Sequence, residues 1–157
     1  SHSHAFVTGY AVFMRFPALD AAGVSVGKFR DRSGAEFRKC VEDLVDLYVA
    51  DRGLSFTNTL ATGAGPKNPM GLNATDLFAS FCMRLARDHG GSDFVKRLWQ
   101  EVGRRPVAKS PQDGIDNYVI AASSAAGSDL GPLFVDTWRW PVSEEARKLC
   151  REVVGTR

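Results

Sequence analysis

Few residues of this chain combine a reactive side chain with a position that could line a cleft. The candidates are two tyrosines, an arginine, an aspartate and a histidine: Tyr10, Arg15, Asp76, His89 and Tyr118. A tyrosine hydroxyl can donate a hydrogen bond to a carbonyl oxygen, and donors of this kind stabilise the negative charge that develops during acyl transfer. Arg15 and Asp76 would order one wall of the cleft. We predict these five as substrate-binding residues, and the sequence identifies no catalytic residue.

Two of these side chains also have an ordinary structural interpretation. Asp76 falls in the first turn of a predicted helix and His89 in the last turn of the same helix, where an anion and a cation each interact favourably with the helix dipole. Arg15 stands between two apolar residues, so we expect part of it to be buried, and a buried guanidinium needs an acceptor. The acids to test first as its partner are Asp76 and Asp116.

The sequence lacks the short motifs that usually carry catalysis. A nucleophile elbow, a phosphate-binding loop, a dinucleotide fingerprint and a calcium loop are all absent from it. Two of its three histidines, His2 and His4, belong to a start that resembles a remnant of cloning, or a cut made inside a longer protein. Without further histidines a complete zinc site is not expected. We therefore predict no metal or other cofactor within this chain.

The cysteines are Cys40, Cys82 and Cys150, and all three fall on apolar faces of predicted helices. No two of them have metal-ligand spacing, and their odd number argues against a closed disulfide framework. We interpret them as free thiols that pack as small hydrophobes. One bridge plus one free thiol stays open as the alternative, and the compartment, cytoplasmic or exported, is left undetermined.

Length and composition predict one globular domain without a nucleic-acid or membrane partner. The chain has 157 residues, of which 44% are hydrophobic and 24% charged, and a chain of this size needs no disulfide or metal to hold a core. With a net charge of +2, basic and acidic residues are too evenly balanced to indicate a nucleic-acid-binding surface. Two short basic clusters, at 28–32 and 104–109, are interpreted as solvated loops. The apolar run at 5–16 is too short to span a bilayer.

Apolar spacing predicts about seven helices and no convincing strand pair. The run at 5–16 fits a helix or a strand, and we choose a helix because every later segment reads as helical. A capping box at Ser33 and Glu36 begins an amphipathic helix that Gly53 ends. The later helices begin at Asn73 or Thr75, at Ser92, at Ser110–Pro111, at Asp129 and at Ser143. We predict an all-α domain over residues 1–157, its helices packed orthogonally around one core.

Two stretches between helices carry competing interpretations. Residues 54–73 form the longest loop, and loops of this length in compact domains are usually functional or disordered; the apolar residues within it predict that it is packed. A small-molecule enzyme that uses this loop and Tyr118 is our last-ranked hypothesis. The cluster at 138–141, with Arg139 between two tryptophans, would serve as a ligand shelf or close one end of the helical core, and we favour the core.

Three stretches, taken together, carry a family resemblance. They read FVTGYAVFMRF, NATDLFASFCMRLARDHGGSDFVKRLW and IDNYVIAASSAAGSDLGPLFVDTWRWPVS. The last two are similar to the region that follows the active-site helix in gluzincin-type zinc metallopeptidases of bacteria. That family implies a zinc-activated water, held by an HExxH helix and a downstream glutamate, that attacks a peptide carbonyl. This chain contains no HExxH, so no metal ligand and no general base carries over to it.

The resemblance implies a helical C-terminal lobe that forms one wall of a substrate cleft and is not catalytic alone. Its partners would be the upstream part of the same polypeptide or a peptide substrate, and zinc would belong to the full-length protein. Residues 5–16 would then be an interior helix of a larger protein. The alternative is a stand-alone helical interaction or dimerisation domain. It is suggested by the missing catalytic constellation and by the small residues at 121–127, which let another backbone approach closely.

Overall fold

A computed structural model describes residues 34–155, and every regular element in that span is helical. The elements are α1 (Gly34–Ala50), α2 (Ala74–His89), α3 (Ser92–Arg104), α4 (Pro111–Ala126), a π-helix (Leu133–Thr137) and α5 (Glu144–Gly155). The all-α prediction is confirmed for these residues. Six helices are present there instead of the seven predicted for the whole chain, because the helix at 5–16 lies outside the described residues, as does the Ser33 cap.

The chain divides into two compact units, Ser1–Leu85 and Ala86–Arg157, and the boundary falls inside α2. In the first unit, α1 buries one apolar stripe, and α2 is buried on all sides over residues 76–83. The buried large side chains are Phe37, Val41, Leu44, Val45 and Tyr48 on α1, and Leu77, Phe78, Phe81, Cys82 and Leu85 on α2. The α1 stripe follows the three-to-four-residue spacing of the sequence, whereas α2 is buried beyond the stripe that this spacing predicts.

Ser80 joins the two helices of the first unit at close range. Its hydroxyl oxygen accepts a hydrogen bond from the Val45 amide at 3.0 Å and donates one to the Glu42 carbonyl at 3.2 Å. The Tyr48 ring meets the Phe81 ring edge-on, with centroids 5.2 Å apart. A fully buried serine is therefore satisfied by the backbone of the neighbouring helix, as buried hydroxyls require.

Residues 51–73, between α1 and α2, contain turns but no helix or strand, and we call them the asparagine loop. Asn68 organises its second half: the side-chain amide donates to the carbonyls of Pro66 (2.8 Å) and Leu72 (2.9 Å). The side-chain oxygen accepts from the amides of Met70 (3.2 Å) and Leu72 (2.8 Å). The loop also buries Phe56, Leu60 and Leu72, which confirms that it is packed.

The second unit is built around α4, which packs against both α3 and α5. Arg97 of α3 ties two helix ends together: its Nε donates to the Ala125 carbonyl at 2.8 Å and its Nη2 to the His89 carbonyl at 3.0 Å. Both carbonyls lie in last turns, where backbone acceptors lack intrahelical partners and a positive charge is favourable.

The starts of α4 and α5 follow the sequence, and the start of α3 does not. Ser110 and Ser143 are the caps of α4 and α5, as predicted, because their hydroxyls accept from the amides three residues on at 3.1 Å each. The prediction that Ser92 caps α3 is wrong. Gly91 occupies the cap position at a φ of 64°, a left-handed conformation that glycine adopts readily, and Ser92 is the first helical residue.

The short helix predicted from Asp129 differs mainly in form. Gly131 and Pro132 are α-helical, and a π-helix, Leu133–Thr137, continues from them. Asp129, just before this segment, accepts from the Gly131 amide at 2.9 Å. A π-helix carries one extra residue per hydrogen-bonded turn, and apolar spacing alone does not distinguish it from an α-helix.

Candidate functional site

Asp76 is the one predicted site residue of the first unit that the structure describes, and it serves a helix start. Its Oδ2 accepts from the Asn73 amide at 3.2 Å, while the Asn73 side chain accepts from the Thr75 amide at 3.1 Å. This reciprocal pair is a capping box, and it satisfies two backbone donors at the start of α2. Asp76 is 6% exposed. Tyr10 and Arg15 lie outside the described residues.

His89 and Tyr118 both belong to the second unit, where they hold different places. His89 is half-buried in the last turn of α2, and its ring lies 5.8 Å from the Phe94 ring. Tyr118 is buried on α4, with its ring stacked on Trp140 at 5.9 Å and edge-on to Phe134 at 6.1 Å. The assignment of either residue to a substrate stays a prediction.

Tyr118 of α4 belongs to a buried aromatic cluster whose other rings come from residues 127–143, a segment that we call the aromatic corner. Phe134 lies at its centre, 4.9 Å from the Trp138 ring and 4.7 Å from the Trp140 ring. Between the two tryptophans Arg139 takes a φ of 57°, the one left-handed conformation outside glycine among residues 34–155. This turn lets both tryptophan rings reach the same phenylalanine. Trp138 and Trp140 are each 2% exposed, so the cluster is part of the core, which agrees with the core interpretation of 138–141 and not with an open ligand shelf.

Asp116 fastens the aromatic corner to α4. Its Oδ1 accepts from the Ser143 amide at 3.0 Å and its Oδ2 accepts from the Ser143 hydroxyl at 2.7 Å. Gln112, one turn earlier, donates to Asp116 Oδ1 at 2.9 Å and to the Pro141 carbonyl at 2.7 Å. The same serine caps α5, so one carboxylate holds the start of one helix against the side of another.

A groove of about 210 Å³ lies at this junction, and we call it the charged groove. It is lined by the connector after α3, by one side of α4 and by the first turns of α5. Its charged and polar lining is Arg105, Asp113, Asp116, Asn117, Ser143 and Glu145, and its apolar lining includes Ile120, Ala146 and Leu149. Side chains of both charges therefore meet an apolar surface in one concavity, whose lining is more polar than that of a typical small-molecule site.

Only some of the charged atoms in the groove form hydrogen bonds with other parts of the protein. Arg105 Nε donates to Asn117 Oδ1 at 3.2 Å, and Asp113 Oδ2 accepts from the Lys109 amide at 3.0 Å. Within residues 34–155, Glu145 makes no hydrogen bond or ion pair, and no carboxylate lies within ion-pair distance of Arg105. Opposite charges thus line the same groove without pairing.

Cys150 lies on the buried side of α5, and its environment makes it a poor nucleophile. Burial raises the pKa of the Cys150 thiol above its ordinary value; a hydrogen bond with the Ser123 side chain opposes this, and the charges of Asp129 and Asp116 raise the pKa further. The thiolate is the reactive form of cysteine. Cys82 is buried, Cys40 is half-buried, and all three thiols are free.

The described part of the chain, residues 34–155, contains neither a metal-binding cluster nor a membrane-spanning helix. No three histidine, cysteine, aspartate or glutamate side chains lie close enough there to hold a metal ion. None of its helices combines the length and the apolar character that a membrane span requires.

Comparison with known proteins finds no matching family, no similar curated protein and no similar solved structure. The candidate site therefore rests on geometry. Sequence reasoning missed the charged groove, because its main residues come from three separate segments. One signal was present: Asp113 and Asp116 are three residues apart on α4, which places both carboxylates on one helix face.

Proposed function

We propose that this chain is the helical lobe of a metallopeptidase-like protein, forms one wall of a peptide-binding cleft and is not catalytic alone. The observation that carries the proposal is the self-contained bonding of the third resembling stretch, residues 115–143. Within it Asp116 bonds Ser143, Tyr118 stacks on Trp140, and the Ser123 hydroxyl accepts from the Leu130 amide at 3.0 Å. The side chains that carry the resemblance thus build one rigid piece of structure.

A rigid wall is what a cleft needs from a lobe that performs no chemistry. Groups held by packing and hydrogen bonds before a ligand arrives lose little further freedom on binding. The charged groove lies where Asp116 of α4 bonds Ser143 at the start of α5, and it offers both donors and acceptors. These properties suit a peptide, whose main chain and side chains are polar on a partly apolar frame.

The catalytic part of the proposed protein lies outside this chain. There an HExxH helix and a further glutamate would hold zinc, and the zinc-activated water would attack the peptide carbonyl. Within this chain, Tyr10, Arg15, Asp76, His89 and Tyr118 stay the proposed substrate-binding residues. Orthogonal packing of the helices around one core is part of the same proposal.

The dimerisation alternative gains no specific observation from the structure. It drew on the small residues at 121–127, yet Ala121, Ala122, Ser123 and Ala125 are at most 1% exposed. These small side chains are therefore already packed within this chain. Ser123, for example, contacts Cys150 of α5.

The test is the natural sequence upstream of Ser1, followed by expression of the longer protein. We expect an HExxH motif there, bound zinc by metal analysis, and peptide cleavage that is lost when the glutamate of that motif is replaced by glutamine. The chain of residues 1–157 should bind peptides without cleaving them. A longer protein without the motif, or cleavage by residues 1–157 alone, would contradict the proposal.

A further inference from the structure

We propose that the charged groove binds a dipolar peptide segment, with a lysine or arginine side chain against Glu145 and Asp113 and a carboxylate against Arg105. The proposal names the substrate class of the groove and rests on the proposed peptide-binding function. It goes beyond the resemblance, because none of the predicted substrate-binding residues lines this groove.

The first support is that the groove holds opposite charges apart. A guanidinium and carboxylates that share a small concavity would normally pair, since charge-assisted hydrogen bonds are the stronger ones. Here Arg105 is held to Asn117 and Asp113 to the Lys109 amide, each through one atom. The remaining guanidinium nitrogens and the second Asp113 oxygen therefore stay available at fixed positions.

Glu145 supplies the second support. A carboxylate at the start of α5 would stabilise the helix, but the neighbouring Glu144 already provides one. Glu144 and Glu145 both lie in the first turn of α5, where a carboxylate favours the helix dipole. Glu144 approaches Arg147 at 3.7 Å and is absent from the groove lining, whereas Glu145 lines the groove without a partner among the described residues. The two adjacent glutamates thus offer a functional residue and its control.

The size and the apolar lining of the groove limit how much of a peptide it can hold. About 210 Å³ is below the roughly 300–1,000 Å³ of sites that enclose a whole small molecule. It suits one or two side chains of a peptide whose main chain stays outside. Ile120 and Ala146 are at most 3% exposed and offer a ligand little surface. The half-buried Leu149 and the exposed Val107, which also line the groove, are left to contact the aliphatic stem of a lysine.

The experiment measures binding of four labelled peptides to residues 1–157 by fluorescence anisotropy. One peptide carries Lys and Glu side by side in a Gly-Ser sequence, two carry alanine in place of one charge, and one carries alanine in both places. We expect each lost charge to weaken binding about threefold to fivefold, as for ion pairs at partly exposed sites. Higher salt should reduce both preferences.

Four variants test whether residues of the groove cause the preferences for Lys and for Glu in the peptide. Glu145→Gln should remove the preference for Lys and keep that for Glu, and Arg105→Gln should do the reverse. The matched controls Glu144→Gln and Arg104→Gln should keep both preferences, because these residues lie next in sequence but outside the groove lining. Circular dichroism confirms that each variant is folded.

The outcomes separate the inference from the function on which it rests. Equal binding of all four peptides, or preferences that survive Glu145→Gln and Arg105→Gln, overturns the dipolar groove and leaves peptide binding intact. If none of the peptides binds, the proposed function itself fails and the inference fails with it. Preferences that the control variants also abolish would place the ligand elsewhere and overturn the inference.

Discussion

The asparagine loop and the aromatic corner both join helices, yet they are held by different forces. In the asparagine loop the side chains of Asn58 and Asn68 bond the backbone within five residues of themselves. In the aromatic corner three rings surround Phe134, and hydrogen bonds to α4 connect residues 27 and 29 positions apart. Both regions bury apolar side chains, but the side-chain hydrogen bonds of the first are local and those of the second are non-local.

This difference predicts how far the loss of one side chain spreads through its unit. The polar bonds of the asparagine loop need no distant partner, so these bonds can persist while packing elsewhere in the first unit weakens. The aromatic corner keeps its shape only while α4 and α5 are in place. Loss of one ring should therefore affect the whole second unit, whereas loss of one asparagine should affect a short segment.

Phe134→Ala should have the largest effect. Phe134 is fully buried against three other rings, and truncation of a buried phenylalanine typically lowers the free energy of unfolding by about 3–5 kcal/mol. Urea unfolding measures this loss, and hydrogen exchange should show lower protection throughout α4 and α5. Val107→Ala, at a residue 88% exposed, is the control and should change the free energy of unfolding by no more than about 0.5 kcal/mol.

Asn68→Ala should have a smaller and more local effect. The substitution removes four side-chain hydrogen bonds and leaves partly buried backbone groups without partners, each worth about 1 kcal/mol net. Because water reaches part of the loop, we expect a total loss of about 1–3 kcal/mol in the free energy of unfolding. Hydrogen exchange should rise at Met70 and Leu72. If hydrogen exchange rose over a region as wide as that affected by Phe134→Ala, the difference between the asparagine loop and the aromatic corner would be contradicted.

The smallest effect concerns alkaline pH and Cys150. Because burial raises the pKa of this thiol, the unfolded chain ionises first as the pH rises through 9.0, the ordinary thiol value. The unfolded state then loses protons that the folded state keeps, so the free energy of unfolding falls above that pH. Cys150→Ala should make this fall shallower. The change in free energy between about pH 7 and pH 10, measured for each protein, separates titration from the packing cost of the substitution.

Much of the helical framework could be predicted from local patterns. Apolar spacing located α1 to α5, and the caps at Ser110 and Ser143 act between residues three apart. The bond between Asp116 and Ser143 could not be predicted, because nothing local indicates that residues 27 positions apart will meet. Gly91 replaced Ser92 as a cap because two left-handed glycines turn the chain before α3. The charged groove needed the packing of α4 on α5, which sequence alone does not give.

The guanidinium of Arg97 has a mechanical consequence for the second unit. Its Nε and Nη2 are fixed in one plane, and each donates to the end of a different helix. The two ends are therefore spaced by a single inflexible group, and a displacement of the His89 end pulls on the Ala125 end. An ammonium group, a point charge on a flexible stem, would let the two helices move separately.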